Sequence, residues 1–128
     1  MTTYVMLGLF RGDRFGYARA LADIDATTSV ILKKVAESIR CIENLDRYFD
    51  IYIPNAGLAK TDKICVIDKA IIDGSFVELR TILYVVENDV LKPLHCEAIL
   101  GRDIFLWWRL VYDKSFQRVK SLIAQTVQ

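Results

Sequence analysis

Apolar residues recur along this chain in short, strand-length runs separated by turn residues. Tyr4-Val5-Met6-Leu7-Gly8-Leu9-Phe10 is rich in β-formers, and Arg11-Gly12-Asp13 supplies the turn that folds it back onto Phe15 to Ala22 as a hairpin. The Arg-Gly-Asp triplet also matches an integrin-recognition string, but three residues recur by chance and nothing marks the chain as extracellular, so the turn is the reading adopted. Farther on, Val30, Ile31, Val35 and Ile39 recur near helical spacing with Lys33, Lys34 and Glu37 between them. That spacing predicts one short helix with Ser29 as its N-cap and an end near Arg40. Tyr48 to Ile53 reads as a strand, Pro54-Asn55-Ala56-Gly57 as a turn-rich tip, and Ile64 to Ile67 as the returning strand.

Asp73-Gly74, between Ala70-Ile71-Ile72 and Phe76-Val77-Glu78-Leu79, is the strongest short-range hairpin signal in the chain. The next strand alternates through Glu78 and Arg80, then becomes apolar on both faces from Ile82 to Val86, as a central, doubly covered strand does. Asn88-Asp89 ends it, and Pro93 keeps the connection out of a sheet interior. A second helix is predicted after Gly101. Within it, the adjacent Trp107 and Trp108 cannot share a face, so one is expected in the core and the other against a partner surface. Taken together, the pattern predicts a mainly β domain with helices only near residues 30 to 39 and after Gly101.

Composition narrows the class. With 128 residues, 53% of them hydrophobic and 26% charged, the chain is expected to form one globular domain, 1–128, around a single core. A net charge of +1 without a basic cluster gives no electrostatic footprint for nucleic acid. Apolar runs such as Ile82 to Val86 and Ile104 to Trp108 fall far short of the ~20 residues of a membrane span. Arg11, Asp13 and Arg14 interrupt the apolar start before an export core could form, so a cytoplasmic location is the default expectation. Cys41, Cys65 and Cys96 are odd in number and widely spaced, which argues against a disulfide framework and against paired zinc ligands; they read as small core hydrophobes. His95, the only histidine, reads as a loop residue beside Pro93, so no Cys-His couple or Ser-His-Asp set arises. No cofactor is implied.

The candidate chemistry lies in Ala20-Leu21-Ala22-Asp23-Ile24-Asp25-Ala26-Thr27-Thr28-Ser29-Val30-Ile31. An apolar strand runs into an acid, then into small and hydroxylated residues, then into an apolar pair. This resembles the active-site turn of retropepsin-like (clan AA) aspartic proteases of the bacterial and archaeal type, apolar-apolar-Asp-Thr/Ser-Gly-Ala-Ser/Thr with an apolar pair two residues on. Ala98-Ile99-Leu100-Gly101-Arg102-Asp103-Ile104-Phe105 resembles that family's later segment, apolar-apolar-Gly-Arg-Asp/Asn-apolar-apolar, where a strand passes the catalytic loop and enters a helix. Arg109 to Asp113 is similar to the last core strand. The resemblance covers residues 4–113 and leaves 114–128 unplaced. It implies a closed β-barrel or sandwich with one or two short helices and a flap hairpin over roughly residues 50 to 65, tipped by Asn55, Ala56 and Gly57. A plain surface hairpin is the alternative for that segment.

The resemblance also implies a mechanism. Two carboxylates about 3 Å apart share one proton, one acting as base on a water and the other as acid on the amide. One Asp motif per chain then implies a homodimer with Asp23 of each copy meeting at the two-fold axis, hydrolysing a peptide or protein substrate. Two positions depart from the family pattern. Ile24 replaces the Thr/Ser whose hydroxyl ties the two loops together, and Asp25 replaces a Gly that permits a tight turn. Asp25 either joins the acids near the axis or turns outward and bonds loop amides. Ala26 and Thr27 complete the loop. Gly101, Arg102 and Asp103 are expected to brace it, Arg102 through an ion pair with Asp103 or Asp25, or else as part of a solvated helix-start pair. Two readings follow: an active homodimeric aspartic endopeptidase, or an inactive homodimer that keeps the cleft for peptide binding or assembly. A magnesium or calcium site built from Asp23 and Asp25 has no spacing signature behind it, so no metal is expected.

Overall fold

A computed structural model describes residues 2–124, and two long antiparallel hairpins frame it. Strands β1 (Thr2–Arg11) and β2 (Arg14–Asp23) pair over their whole length, from Thr2 opposite Asp23 to Arg11 opposite Arg14. Gly12 in the connecting turn has φ +59°, a conformation glycine reaches without a Cβ penalty. After β3 (Val30–Leu32) and helix α1 (Lys33–Ser38), the second hairpin pairs β4 (Ile42–Ile53) with β5 (Gly57–Ile67). Strands β6 (Lys69–Ile72) and β7 (Ser75–Val77) turn through Asp73 and Gly74, both at positive φ, as the Asp-Gly dipeptide predicts. The chain continues through β8 (Thr81–Val86), a 3₁₀ turn (Lys92–Leu94), β9 (Ala98–Leu100), helix α2 (Arg102–Trp107), β10 (Leu110–Asp113) and β11 (Arg118–Ser121).

Nine strands form one sheet in the order β4-β5-β8-β3-β9-β2-β1-β6-β7, and β10 pairs separately with β11. The β2–β9 and β3–β8 pairs are parallel; the other neighbours are antiparallel. The edge strands β4 and β7 do not pair with each other, so the architecture is mainly β but the sheet does not close into the expected barrel. Strand β8 is interior, with Leu83, Val85 and Val86 buried, yet Ile82 is exposed, so only part of its apolar run is covered on both faces. Residues 114–121, unplaced by the sequence, supply the tight return and strand β11 against β10.

The predicted first helix begins later than its apolar spacing suggested. Val30, Ile31 and Leu32 are all buried and run as a strand between β8 and β9, a slot that suits β-branched side chains. Leu32, not Ser29, therefore occupies the N-cap of α1. The two tryptophans separate as their adjacency requires. Trp108 is fully buried and its indole N–H donates to Thr81 Oγ1 at 2.8 Å, while Trp107 is exposed and donates to the Arg80 carbonyl at 3.0 Å.

All three cysteines are buried, but Cys41 and Cys65 form a disulfide, contrary to the sequence reading. Their separation of 24 residues says nothing about distance, because the β4–β5 hairpin returns Cys65 to a position opposite Ile42 and brings the two Cα atoms to 4.7 Å. Loop closure of this length stabilises by about 3 kcal/mol. Dithiothreitol should accordingly lower the urea-unfolding free energy by about that amount. Thiol titration of the unfolded, unreduced chain should find Cys96 alone; reactivity at all three cysteines before reduction would remove the bridge.

Candidate active site

Because β2 and β9 run parallel, with Ala22 opposite Leu100, their C-terminal ends emerge side by side. One end delivers Asp23 and the other Gly101. Asp23 is only 5% exposed. Its Oδ1 accepts the Asp25 N–H at 3.0 Å and its carbonyl accepts the Ala26 N–H at 3.1 Å, a side-chain turn nested in a backbone turn. The first bond fixes the carboxylate relative to the loop and the second closes the backbone turn beneath it. Ile24, Asp25 and Thr27 are exposed and Ala26 is buried. Asp25 thus takes the outward alternative, meeting Asp23 through its backbone N–H, and its φ is not positive. The conformational cost expected of a side chain at the glycine position is therefore not incurred here.

Residues from the second motif press on this turn from behind. The Arg102 N–H donates to the Ala26 carbonyl at 2.7 Å. A Cβ at Gly101 would lie 2.7 Å from that same oxygen and 3.0 Å from the Thr28 carbonyl carbon, so space alone demands glycine. Ser29, fully buried, donates from Oγ to Asp103 Oδ1 at 2.6 Å and accepts the Gly101 N–H at 2.8 Å. Its own N–H donates to Asp103 Oδ2 at 3.0 Å, and the Ile104 N–H also reaches Oδ1. Ser29 is the residue that the sequence reading misassigned. The signal for it was its place as the last of three hydroxyl residues, directly before the buried Val30-Ile31-Leu32 run, where a polar group needs partners.

The Arg102 side chain is exposed and makes no ion pair with Asp103 or Asp25 among the described residues of one chain, in keeping with the solvated alternative. Asp103 already has both oxygens bonded to Ser29, and Asp25 faces solvent, so the guanidinium stays hydrated. An apolar cleft of about 280 Å³ opens beside the turn, between Ala22 and Ile24 on one side and Phe105, Leu110 and Val119 on the other. At the tip of the β4–β5 hairpin, Asn55 and Gly57 have φ of +66° and +92° and are exposed, Ala56 is half-buried, and the tip makes no hydrogen bond to the Asp23 turn among the described residues. No three metal-binding side chains converge among the described residues.

These contacts rank the bracing residues. Ser29→Ala should cost about 1–3 kcal/mol in urea unfolding, because it strands the buried Gly101 N–H and removes a bond to Asp103, and Gly101→Ala a similar amount from overpacking. Arg102→Ala should stay within about 0.5 kcal/mol. An Arg102 effect as large as that of Ser29 would show that the side chain, not the backbone, braces the loop.

No protein-family model matches the chain, and no curated protein matches it in sequence. Among solved structures it is similar to the retroviral protease-like domain of Ddi1 from Leishmania major, at 16% identity and a TM-score of 0.56, over 100% of this chain and 97% of that one. At such identity the likeness is one of architecture, and the chain has the retropepsin-like fold.

Proposed function

We propose that residues 1–128 form one retropepsin-like domain that acts as an aspartic endopeptidase when two copies bring their Asp23 carboxylates together. The observation that carries this reading is the buried, amide-held Asp23 at the end of β2, seated on the Gly101–Asp103 brace. A carboxylate fixed in this way is ready to share a proton with its symmetry mate and to activate a water. Pairing is supported by apolar surface around the turn, since Ile24 is 43% exposed and the cleft beside it is lined by Phe105 and Leu110. The β4–β5 hairpin is the proposed flap. Strand β4 lies at the sheet edge, so one side of its backbone is free to pair with an extended peptide.

One observation favours the second reading, an inactive homodimer that binds peptide. Ile24 presents an apolar side chain where the proposed partner loop would need a hydroxyl, so nothing on that residue can hydrogen-bond across the axis.

Asp23→Asn should reduce cleavage of an unfolded protein substrate at acidic pH by at least about 100-fold with folding intact. Ile24→Thr, alone or with Asp25→Gly, should raise activity, whereas Asp25→Gly alone should change it little. Cleavage that survives Asp23→Asn in material free of other proteases would remove Asp23 from the mechanism. A purely monomeric mass at micromolar concentration would remove proteolysis altogether, and an inert revertant that is a verified dimer would leave peptide binding as the function.

A further inference from the structure

Strands β1 and β2 bury Val5, Leu7, Leu9, Ala18 and Ala20 on one face and leave aromatic side chains on the other. Tyr4, Met6, Phe15 and Tyr17 are all exposed there, Tyr17 at 63%. The rings form a continuous row: Phe10 stacks on Phe15 at 4.4 Å, Phe15 meets Tyr17 edge-on at 4.6 Å, and Phe76 adjoins Phe10 at 6.2 Å. Gly8 keeps the row flat, since a Cβ there would come within 3.3 Å of the Phe15 ring. Exposed apolar surface of this continuity marks a binding face rather than chance exposure.

Cations stand at both ends of the row. The Arg19 guanidinium lies 4.1 Å from the Tyr4 ring centre, and the Lys69 ammonium lies 5.7 Å from both Phe10 and Phe76. At the Arg19 end a cleft of about 380 Å³ opens, lined also by Lys34, Lys92 and His95. Tyr4 stands beside this cleft under the Arg19 guanidinium, its hydroxyl donating to the carbonyl of Leu94, the residue before His95, at 2.6 Å. Glu97 is the one carboxylate in the lining, and it is occupied: Oε1 accepts the Arg19 N–H at 3.0 Å and Oε2 faces Lys34 Nζ at 3.8 Å. Cys96 adds no charge, because burial pushes its thiol pKa up to about 11. Arg19 and Lys92 form no ion pair among the described residues.

We propose that this face binds single-stranded nucleic acid, with bases stacked on the exposed rings of Tyr17, Phe15 and Tyr4 and phosphates held in the Arg19–Lys92 cleft. An acidic peptide would satisfy the cations and leave the rings bare; a proline-rich peptide would do the reverse. A duplex has its bases stacked on each other, out of reach of the row. A single strand alternates flat rings with fixed negative charge, which matches a face of rings flanked by cations. From Arg19 to Phe15 the strand advances roughly 13 Å, more than a single base covers. Sequence alone gave no sign of this because the cations sit at positions 19, 34, 69 and 92 and only the fold gathers them. The inference does not depend on whether Asp23 is catalytic.

The test is fluorescence anisotropy with a labelled oligothymidylate of about twelve nucleotides. Binding should weaken as salt rises. Tyr17→Ala should reduce affinity by about tenfold through lost stacking, and Lys92→Gln should flatten the slope of log affinity against log salt by about 0.7. Both side chains are exposed, so thermal melting should not move. The proposal is overturned by no binding at low salt, by affinity untouched by either substitution, by equal affinity for a duplex of the same length, or by equal competition from an oligoglutamate peptide.

Discussion

The close approach of Gly101 to the Ala26 carbonyl is the constraint on which the site depends. Two loops can meet this tightly only if one lacks a side chain and both emerge from neighbouring parallel strands. Here β2 and β9 supply the common direction, and Ser29 then joins the loops by bonding Asp103 and the Gly101 N–H at once. Every buried polar group in this joint has a partner, and no buried side-chain nitrogen or oxygen is left unpaired among the described residues. The joint holds the Asp23 turn through the Arg102 N–H on the Ala26 carbonyl, and within the turn the Asp25 N–H orients the Asp23 carboxylate, so packing places the loop and a flanking amide aims the acid.

What could be read in the sequence and what could not divide along physical lines. Hairpins with strong turn chemistry, Gly12-Asp13 and Asp73-Gly74, appear where expected because positive φ at a tight turn is a local property. The Asp23 and Gly101 motifs were visible as spacing, and the structure places them in contact. Features that depend on long-range partners were not legible. Val30-Ile31-Leu32 reads as the face of a helix until β8 and β9 are present on either side. Arg102 and Ser29 exchanged roles for the same reason: a carboxylate close in sequence to an arginine was taken by a serine 74 residues away.

The Cys41–Cys65 bridge and the aromatic face of β1–β2 make the same point at larger scale. The odd cysteine count argued against pairing, but a hairpin brings two of the three together and leaves Cys96 alone in a separate pocket. Disulfides persist in oxidising compartments, so the bridge pulls against the cytoplasmic default that the N-terminus suggested. Alternation along β1 and β2 was legible as strand, yet the identity of the outward residues carries information that alternation does not. A solvated face needs polar side chains only, and this one is built of rings in parallel and edge-on contact, with cations against them.

The two departures from the family pattern do not weigh equally once the turn is seen. A side chain at position 25 would matter if the backbone there required a left-handed conformation, and it does not; Asp25 supplies the amide that holds Asp23 and sends its own carboxylate into solvent. Ile24 is different in kind. Within one chain its exposed side chain costs nothing beyond unburied apolar area, because the Ser29–Asp103–Gly101 joint already fixes the loop. Under the proposed pairing that same side chain faces the partner turn, where an apolar contact can add affinity but cannot set the angle between two carboxylates as a hydrogen bond does. If the proposed pairing holds, Ile24 would leave the fold in place while loosening the geometry between the two acids, so residue 24 bears more than residue 25 on the choice between peptidase and peptide-binding dimer.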